Sequence, residues 1–412
     1  MPGNLSSPVS LSERSDILDV LRGFALFGVL MDNLMGFSGW GEASLAYKQS
    51  LSTWPADGVL GLFELAFING KFYSLFSLLF GVGFSIILMR NEQRGTNPLK
   101  IFYRRLLILM CFGAIHLFLL WEGDILTLYA LIGLFLPLFR KCSDKTLVIT
   151  AVVLILSPIL IDTLKIIFHF RTGEFLNQMG QAVDKKTGIP LDDSFAQYLY
   201  KDDAGWKEWR NWQASGFYYR YGYIIESNRI PKVLGMFLLG FYAGRKMIYA
   251  NLESYTSLFK TLRKWGFIIG IPFALLLAYC RYKNYHPPMT LGILDTISYA
   301  LSVVPLCLAY MSTICLIWIR KKGNTKIKVL APMGRMALTN YITQTLLGIS
   351  IYYGVGLGIG GDIGPSVFMP LGLAVYVIQI LYSNAWFRYF YYGPLEWIWR
   401  MLTYGRRLKF IK

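Results

Sequence analysis

The chain has 412 residues, of which 55% are hydrophobic, 16% aromatic and only 16% charged. Soluble domains contain about 45–50% apolar and about 25% charged residues, so this composition excludes an ordinary soluble enzyme. A net charge of +17 fits a nucleic-acid partner only when the bases form one face of a soluble domain. Here the bases form short blocks between apolar runs, a pattern typical of a multi-pass membrane protein, and we expect no nucleic-acid partner.

Ten apolar runs are long enough for membrane helices, since a bilayer core of about 30 Å needs about 20 helical residues. They predict an all-α transmembrane bundle with spans at 17–37, 58–89, 101–121, 123–140, 146–168, 230–250, 264–281, 290–319, 333–354 and 365–387. The second and eighth runs are long enough to tilt, to kink at Gly70 or Pro305, or to begin as interfacial helices. Glycines within the runs predict close contacts between helices, among them Gly81, Gly83, Gly235, Gly240 and Gly244.

The basic blocks also predict the orientation. With ten spans, the blocks around 90–105, 140–145, 245–264 and 320–335 and the C-terminal tail all fall on one side of the membrane. Short cytoplasmic loops carry the excess of Lys and Arg, so both termini are predicted to be cytoplasmic. The predicted organisation is a cytoplasmic segment, a five-span bundle, an external loop, a second five-span bundle and a basic cytoplasmic tail, at 1–16, 17–168, 169–229, 230–387 and 388–412.

The external loop contains three tryptophans, Trp206, Trp209 and Trp212, spaced three residues apart. This spacing places them on one face of a helix. Tryptophan prefers the membrane–water interface, so a helix lying on the outer leaflet is the simpler interpretation. The alternative is a lid over an outward-facing pocket, because long loops in compact proteins are often functional.

Ionisable residues inside a membrane are functional candidates, because burying a charge there costs at least about 2.5–3.5 kcal/mol. We define the inner polar set as the polar residues predicted near the cytoplasmic face: Asp19, Arg22, Arg104, Arg105, Arg335 and Asn340. Asp19 and Arg22 are three residues apart on one helix and are able to pair, which favours a structural role. The alternative is an anion site in which the arginines bind a phosphate group.

We define the outer polar set as the polar residues predicted near the other face: Asp32, Asn33, Glu64, His116, Glu122 and Asp124. A tight turn brings His116 close to Glu122 and Asp124, and an imidazole oriented by a carboxylate is suited to general-base catalysis. A hydrogen-bonded packing role for His116 is the alternative. No two histidines and no cysteines have metal-ligand spacing, so neither a metal nor a permanently bound cofactor is predicted.

Five segments resemble the YeiB-like family of bacterial membrane proteins, whose conserved domain is labelled as of unknown function. They are SDILDVLRGFALFGVLMDN at 15–33, KFYSLFSLLFGVGF at 71–84, RRLLILMCFGAIHLFLLWEGDILTLYAL at 104–131, GRMALTNYITQT at 334–345 and YGPLEWIWRMLTYG at 392–405. The resemblance implies a bacterial cytoplasmic membrane protein in contact with lipids, and a homo-oligomer is one expectation.

The segment LDVLRGFAL is also similar to the first helix of the transmembrane acyltransferases. That likeness implies an acyl-CoA co-substrate bound on the cytoplasmic side and a sugar, lipid or small-molecule acceptor on the other. Arg22 matches the first-helix arginine of the O-acyltransferases in that group. Where those proteins have a histidine further along the helix, this chain has Asn33, and His116 is the nearest replacement that we infer.

These observations favour a membrane acyltransferase in which the inner arginines bind the donor and His116, with Glu122 or Asp124, activates the acceptor. Two alternatives stay open, so whether the chain is an enzyme is undecided at this stage. One is a transporter or channel for a small solute or lipid, with Asp32, Glu64, His116 and Asp19 along its path. The other is a membrane scaffold or sensor.

Overall fold

The computed structural model describes residues 15–192, 194–201 and 204–412. The predicted cytoplasmic segment 1–16 therefore lies outside the described residues, apart from its last two positions. Within the described ranges the chain is helical, and its one β-type pairing is a single bridge between Phe390 and Ile411. The predicted all-α class is confirmed.

Eight helices are longer than 20 residues: α1 (Asp16–Phe37), α4 (Lys71–Gln93), α5 (Pro98–Leu119), α7 (Asp144–Phe168), α10 (Trp206–Glu226), α12 (Thr256–Tyr282), α13 (Gly292–Arg320) and α16 (Pro365–Tyr389). The shorter helices are α2 (Leu45–Ser50), α3 (Ala56–Phe67), α6 (Leu126–Gly133), α8 (Glu174–Thr187), α9 (Phe195–Tyr200), α11 (Arg229–Arg245), α14 (Leu330–Arg335), α15 (Ala337–Tyr352) and α17 (Pro394–Tyr404). Short 3₁₀ turns stand at Leu136–Phe139, Leu252–Tyr255 and Lys326–Val329.

Local sequence explains where several helices begin. The side chain of Asn97 accepts hydrogen bonds from the backbone N–H groups of Leu99 and Lys100, and Pro98 occupies the first turn of α5. The predicted span 58–89 is divided into α3 and α4, because Gly70 adopts a left-handed conformation with φ of 85°. The predicted kink at Gly70 is therefore confirmed, whereas α13 continues through Pro305.

Six segments of the described chain are long and apolar enough to cross a membrane: Ala56–Gln93, Pro98–Leu119, Asp144–Phe168, Leu252–Tyr282, Gly292–Arg320 and Pro365–Tyr389. Leucines on several of them, such as Leu107 and Leu160, are about two-thirds exposed on the outside of the bundle. Such broad apolar surfaces need a partner other than water. The chain is thus a helical membrane protein.

The other four predicted spans are not among these six segments. The run 17–37 carries charged side chains, and 230–250 forms a helix of only 17 residues. The run 123–140 divides into α6 and a 3₁₀ turn, and 333–354 divides between α14 and α15. The span count of ten, the cytoplasmic termini and the domain boundaries stay predictions.

Two central helices organise the bundle. α1 packs against α4, α14, α15 and α16, and α4 also packs along α11. The α4–α11 contact is close, because Gly81 faces the backbone of Phe237 and Gly240 faces the backbone of Leu78. Glycines at such crossings let helix backbones approach, as the sequence predicts. Both central helices run from one end of the bundle to the other.

The long connection 169–229 folds into α8, α9 and α10. The predicted tryptophan helix is confirmed as the start of α10. Its first tryptophan, Trp206, is 65% exposed, whereas Trp209 and Trp212 are partly buried against the core. The connection therefore folds back onto the bundle.

The α4–α11 crossing allows a stability test with a built-in control. A methyl group at Gly81 would collide with the carbonyl oxygen of Phe237, whereas one at Gly83 would meet nothing within 4 Å. We expect Gly81→Ala to lower the free energy of unfolding by about 1–3 kcal/mol, as overpacking does. Gly83→Ala should be neutral or stabilising, since alanine is the better helix former. Thermal unfolding in detergent measures both, and equal effects of the two substitutions would contradict the described packing.

Candidate functional site

The predicted pair of His116 and Asp124 forms. The His116 Nδ1 atom lies 3.0 Å from Asp124 Oδ1, across the turn that follows α5. On the other side of the ring, Nε2 lies 2.9 Å from the hydroxyl oxygen of Thr345 in α15. All three side chains are buried. Each ring nitrogen of His116 therefore has one hydrogen-bond partner.

Asp124 also fixes the start of α6. Its carboxylate accepts hydrogen bonds from the backbone N–H groups of Leu126 and Thr127, at 3.1 and 2.7 Å, and from the Thr127 hydroxyl at 2.5 Å. Its carbonyl oxygen accepts hydrogen bonds from Nε and Nη2 of Arg220 in α10, at 2.8 and 2.5 Å. The carboxylate thus caps α6, where the helix dipole favours negative charge. This single residue holds the turn between α5, α6 and α10.

The ring of His116 is closed off from open space. Its exposed fraction is 0%, and neither His116 nor Thr345 lines any of the three cavities described below. The neighbouring ring of Tyr341, with centroids 5.0 Å apart, does line two of them. This arrangement agrees with the hydrogen-bonded packing role. Catalysis by His116 stays a prediction.

A cavity of about 1430 Å³ lies at the end of the bundle that contains the C-terminal part of α1 and the N-terminal part of α4. We call it the carboxylate cavity, after the members of the outer polar set that line it: Asp32, Asn33, Glu64 and Glu122. Asp32 Oδ1 accepts a hydrogen bond from Asn69 at 2.7 Å, and Asn69 Oδ1 accepts one from Arg281 at 3.2 Å. Phe195, Trp212, Tyr219, Arg220 and Tyr223, from α9 and α10, form part of its wall, as the lid interpretation expects.

Two carboxylates in this cavity have an oxygen without a hydrogen-bond partner among the described residues. These atoms are Glu64 Oε1 and Glu122 Oε2, and both are buried. Burial raises the pKa of Glu122 from 4.5 to about 7. A carboxyl group that titrates near neutral pH is able to take up and release a proton under ordinary conditions, which is what general-base chemistry requires.

A second cavity, of about 330 Å³, lies at the opposite end of α1 and α4. We call it the arginine cavity, after its cationic lining residues Arg22, Arg105, Arg335 and Arg400. The predicted pairing of Arg22 with Asp19 is confirmed at 2.8 Å. The guanidinium groups of Arg105 and Arg335 lie 4.2 and 4.1 Å from the ring centroids of Trp399 and Phe387. Such stacking holds each guanidinium in a defined plane.

The other two members of the inner polar set lie elsewhere. Arg104 is exposed and does not line the arginine cavity, although it is the neighbour of Arg105. The buried Asn340 donates hydrogen bonds to the carbonyl oxygen of Met333 at 3.0 Å and to the hydroxyl of Ser383 at 3.2 Å. Asn340 therefore connects α14, α15 and α16 and does not face the cavity.

Each of the five segments that carry the family resemblance contributes lining residues to the arginine cavity: 15–33, 71–84, 104–131, 334–345 and 392–405. The last two also contact each other directly. Glu396 accepts hydrogen bonds from the backbone N–H groups of Leu338 and Thr339, at 2.7 and 3.0 Å, at the beginning of α15. Segments that are far apart in sequence thus build one compartment.

The two cavities meet near the middle of the bundle. Val29, Ile125 and Tyr341 line both of them. We call these three residues the partition. Glu122 and Gly123 line the carboxylate cavity next to it, in the turn that Asp124 holds. The members of the inner and outer polar sets that line the two cavities therefore lie on opposite sides of the partition.

Sequence reasoning missed several residues of this region. Tyr341 and Thr345 lie in a segment quoted for the family resemblance, but nothing in their spacing indicates a contact with His116. Arg220 stands within the aromatic stretch FYYRYGY, and an arginine in such a stretch is the one signal that the sequence offered. Among the described residues, no cluster of three or more His, Cys, Asp or Glu is arranged to hold a metal ion.

Together these features define a multi-pass helical membrane protein with two cavities, at opposite ends of α1 and α4, that share the partition. Residues 243–406 match the family described as "Protein of unknown function (DUF418)". The chain belongs to the YeiB-like family of bacterial proteins, because its likeness to members of that family extends over nearly the whole sequence.

The likeness is strong for a protein of Bacillus subtilis (strain 168) named "Uncharacterized protein YxaH", with 33% identity over 410 residues and 96% of each chain covered. The Escherichia coli (strain K12) protein "Uncharacterized protein YeiB" is 28% identical, with 95% of this chain and 96% of that protein covered. No solved structure matches the chain.

The position of Asp124 predicts a large effect of its removal. In Asp124→Ala, His116 and the N-terminal N–H groups of α6 lose their acceptor inside the bundle. Leaving buried polar groups unpaired costs about 1–3 kcal/mol each, so we expect a loss of at least about 3 kcal/mol in unfolding free energy. The control is Asp192→Ala, which removes an exposed carboxylate that accepts hydrogen bonds from the backbone N–H and the hydroxyl of Ser194. Thermal unfolding in detergent compares the two, and similar small effects would contradict the role of Asp124.

Glu122 predicts a pH-dependent effect. Between pH 4.5 and about 7 the folded chain keeps this proton and the unfolded chain releases it, so the free energy of unfolding falls as the pH rises through this window. Glu122→Gln removes this dependence and should unfold at a higher temperature than the wild type at pH 8, with a smaller difference at pH 5.

Glu208 provides the control of opposite sign. Hydrogen bonding from the backbone N–H of Gly205, at 2.8 Å, lowers the pKa of Glu208. Its charged form therefore stabilises the folded chain, and Glu208→Gln should be less stable than the wild type at pH 8. A difference between Glu122→Gln and wild type that does not change with pH would contradict the prediction for Glu122.

Proposed function

We propose that the protein transfers an acyl group from a cytoplasmic acyl-CoA donor to a hydroxyl or amine acceptor that enters from the other side of the membrane. The observation that carries this proposal is the meeting of the two cavities at the partition. One cavity is cationic with an apolar interior, and the other contains carboxylate oxygens without a hydrogen-bond partner among the described residues. Val29, Ile125 and Tyr341 line both cavities.

The arginine cavity suits the donor. It follows α1 from Ser15 to Val29, roughly 20 Å at 1.5 Å per residue. Its deeper wall is apolar, with Leu26 and Phe80 among its residues, and fits an acyl chain and the thioester arm. Its volume lies near the lower end of the range of about 300–1,000 Å³ for ligand pockets, so it holds the arm and not the whole coenzyme. Guanidinium groups in fixed planes are suited to phosphate oxygens.

Glu122 is the residue that we propose as the general base. The acceptor oxygen or nitrogen attacks the thioester carbonyl carbon, so that a new C–O or C–N bond forms while the C–S bond breaks. Glu122 takes the proton of the attacking group and returns it to the departing thiolate, which leaves as the thiol of coenzyme A. His116 and Asp124 act as positioning residues, because they fix the turn that carries Glu122.

The proposed orientation follows from charge. The arginine cavity contains Arg22, Arg105 and Arg335, which belong to the basic half of the bundle. Basic residues are retained on the cytoplasmic side, so the arginine cavity would open to the cytoplasm of a bacterial cell and the carboxylate cavity to the outside.

Adjacent arginines in α5 allow a matched binding test. Arg105 lines the arginine cavity, whereas Arg104 is exposed and lies outside it. In calorimetry with acetyl-CoA and longer acyl-CoAs, we expect Arg105→Gln to weaken binding about tenfold or more, since a charge-assisted hydrogen bond contributes about 1.5–3 kcal/mol. Arg104→Gln should bind like the wild type.

The chemical step is tested with Glu122→Gln. This variant should bind acyl-CoA normally but transfer the acyl group about 100-fold more slowly or less, because general-base catalysis contributes about 10²–10⁴-fold. Folded wild-type protein that binds no acyl-CoA would overturn the proposal, and so would equal losses of binding in Arg104→Gln and Arg105→Gln.

Transport of a small solute is the second candidate, and one observation favours it. Two cavities that lie at opposite ends of a bundle and share lining residues are also what a substrate path through a membrane protein requires. In sealed vesicles, solute flux that depends on Asp32 and Glu64, without any acyl transfer, would identify the protein as a transporter.

A further inference from the structure

A third cavity, of about 430 Å³, opens beside the carboxylate cavity and shares several lining residues with it, including Arg229 and Arg281. We call it the side pocket. Its cationic residues gather around tyrosines: the Lys232 Nζ atom lies 4.0 Å and the Arg281 guanidinium 5.5 Å from the centroid of the Tyr299 ring. Arg229, Lys232 and Arg281 therefore lie together around one small space, and Arg171 also lines it.

Arg229 is held rigidly in this group. Its guanidinium lies 4.6 Å from the ring centroid of Tyr73 and 4.9 Å from that of Tyr223. The Tyr73 hydroxyl is in turn 2.9 Å from the hydroxyl of Tyr299. Arg229 is only 7% exposed, and its buried Nε atom has no hydrogen-bond partner among the described residues. This donor is thus preorganised and unused.

Three acidic residues, Asp162, Glu226 and Asp295, also line the side pocket, and each is paired with a lysine or an arginine. Asp162 lies 3.0 Å and Glu226 3.6 Å from the Nζ atom of Lys165. Asp295 lies 3.0 Å from Nε of Arg281.

Within the described ranges, Arg229 and Lys232 form no ion pair, and the Nζ atom of Lys232 makes no hydrogen bond. α11 also begins at Arg229 without a side-chain cap, so its dipole adds to the positive potential. The side pocket thus contains two cationic residues, Arg229 and Lys232, that form no salt bridge within the described ranges.

We propose that the side pocket binds a phosphate group. Arginine and lysine that point into one partly dry space are the usual means of binding phosphate, and the N–H groups of Arg229 fit its oxygens. Tyrosine rings beside the cations shield the contact from water. The phosphate belongs either to a soluble organic phosphate or to a lipid headgroup. The proposal is independent of acyl transfer, because it depends only on the charges and geometry of this pocket.

The test compares two lysines that differ in position but not in charge. Lys232 lines the side pocket, whereas Lys283 is exposed and does not line it. Full-length protein in a phosphate-free sugar detergent is titrated with glycerol 3-phosphate by calorimetry. In parallel, native mass spectrometry follows the retention of added phosphatidylglycerol. We expect saturable binding of one of these probes, weakened at least tenfold by Lys232→Gln and unchanged by Lys283→Gln.

The two probes identify the source of the phosphate. Binding of glycerol 3-phosphate without lipid indicates a soluble ligand, and retention of phosphatidylglycerol alone indicates a lipid headgroup. Arg229→Gln is a second variant, and Lys232→Gln is the safer one because Lys232 makes only a ring contact. Failure of both probes to bind folded wild-type protein would overturn the proposal, and so would equal losses in the two lysine variants. Arg105→Gln distinguishes this proposal from that of acyl transfer. It should weaken acyl-CoA binding in the arginine cavity and leave phosphate binding in the side pocket unchanged.

Discussion

The buried hydrogen bonds of Asp124 are the constraint on which the site depends. One carboxylate bonds to His116 and to the first N–H groups of α6, and the same residue's carbonyl oxygen receives Arg220 from α10. His116 extends the network to α15 through Thr345. Four helices are therefore fixed relative to one short turn. The partition and Glu122 take their positions from that turn, so the separation of the two cavities depends on a network that substrate does not need to touch.

The second constraint on the site is the position of the central helices α1 and α4. α1 contributes Asp19 and Arg22 to one cavity and Asp32 to the other, and α4 likewise lines both. A charge facing lipid on these helices would be costly. Their positions inside the bundle, with apolar helices such as α5, α7, α12 and α16 outside, allow charged residues at both ends and apolar residues between them.

The parts of this arrangement that sequence reasoning predicted are the local ones. The pair of Asp19 and Arg22 follows from helical spacing, and that of His116 and Asp124 follows from a tight turn, so both were accessible without a fold. The contacts of His116 with Thr345, and of Asp124 with Arg220, join residues far apart in the chain and have no local pattern. Arg104 and Arg105 were equivalent in sequence, because only the packing of α17 against α5 decides which one meets Trp399. Apolar run length overestimated the continuity of two runs, since 123–140 and 333–354 each contain a break that was not predicted.

The uncompensated charges of the side pocket link ligand binding to stability. A buried cation without an acidic partner costs several kcal/mol of solvation. At Arg229 the folded chain offsets this cost with two cation–π contacts and a hydrogen bond from Nη2 to the Tyr223 hydroxyl at 3.1 Å. An anion in the pocket would offset part of this solvation cost, so the bound form would be more stable than the free form. Glu122 is the corresponding case for an acidic residue. Burial keeps its carboxyl group protonated up to near neutral pH, and a reacting group in the cavity is able to change that protonation state. Arg229 and Glu122 thus line cavities, where a ligand is able to offset the cost of their burial, whereas the fully hydrogen-bonded Asp124 lines none of the three cavities.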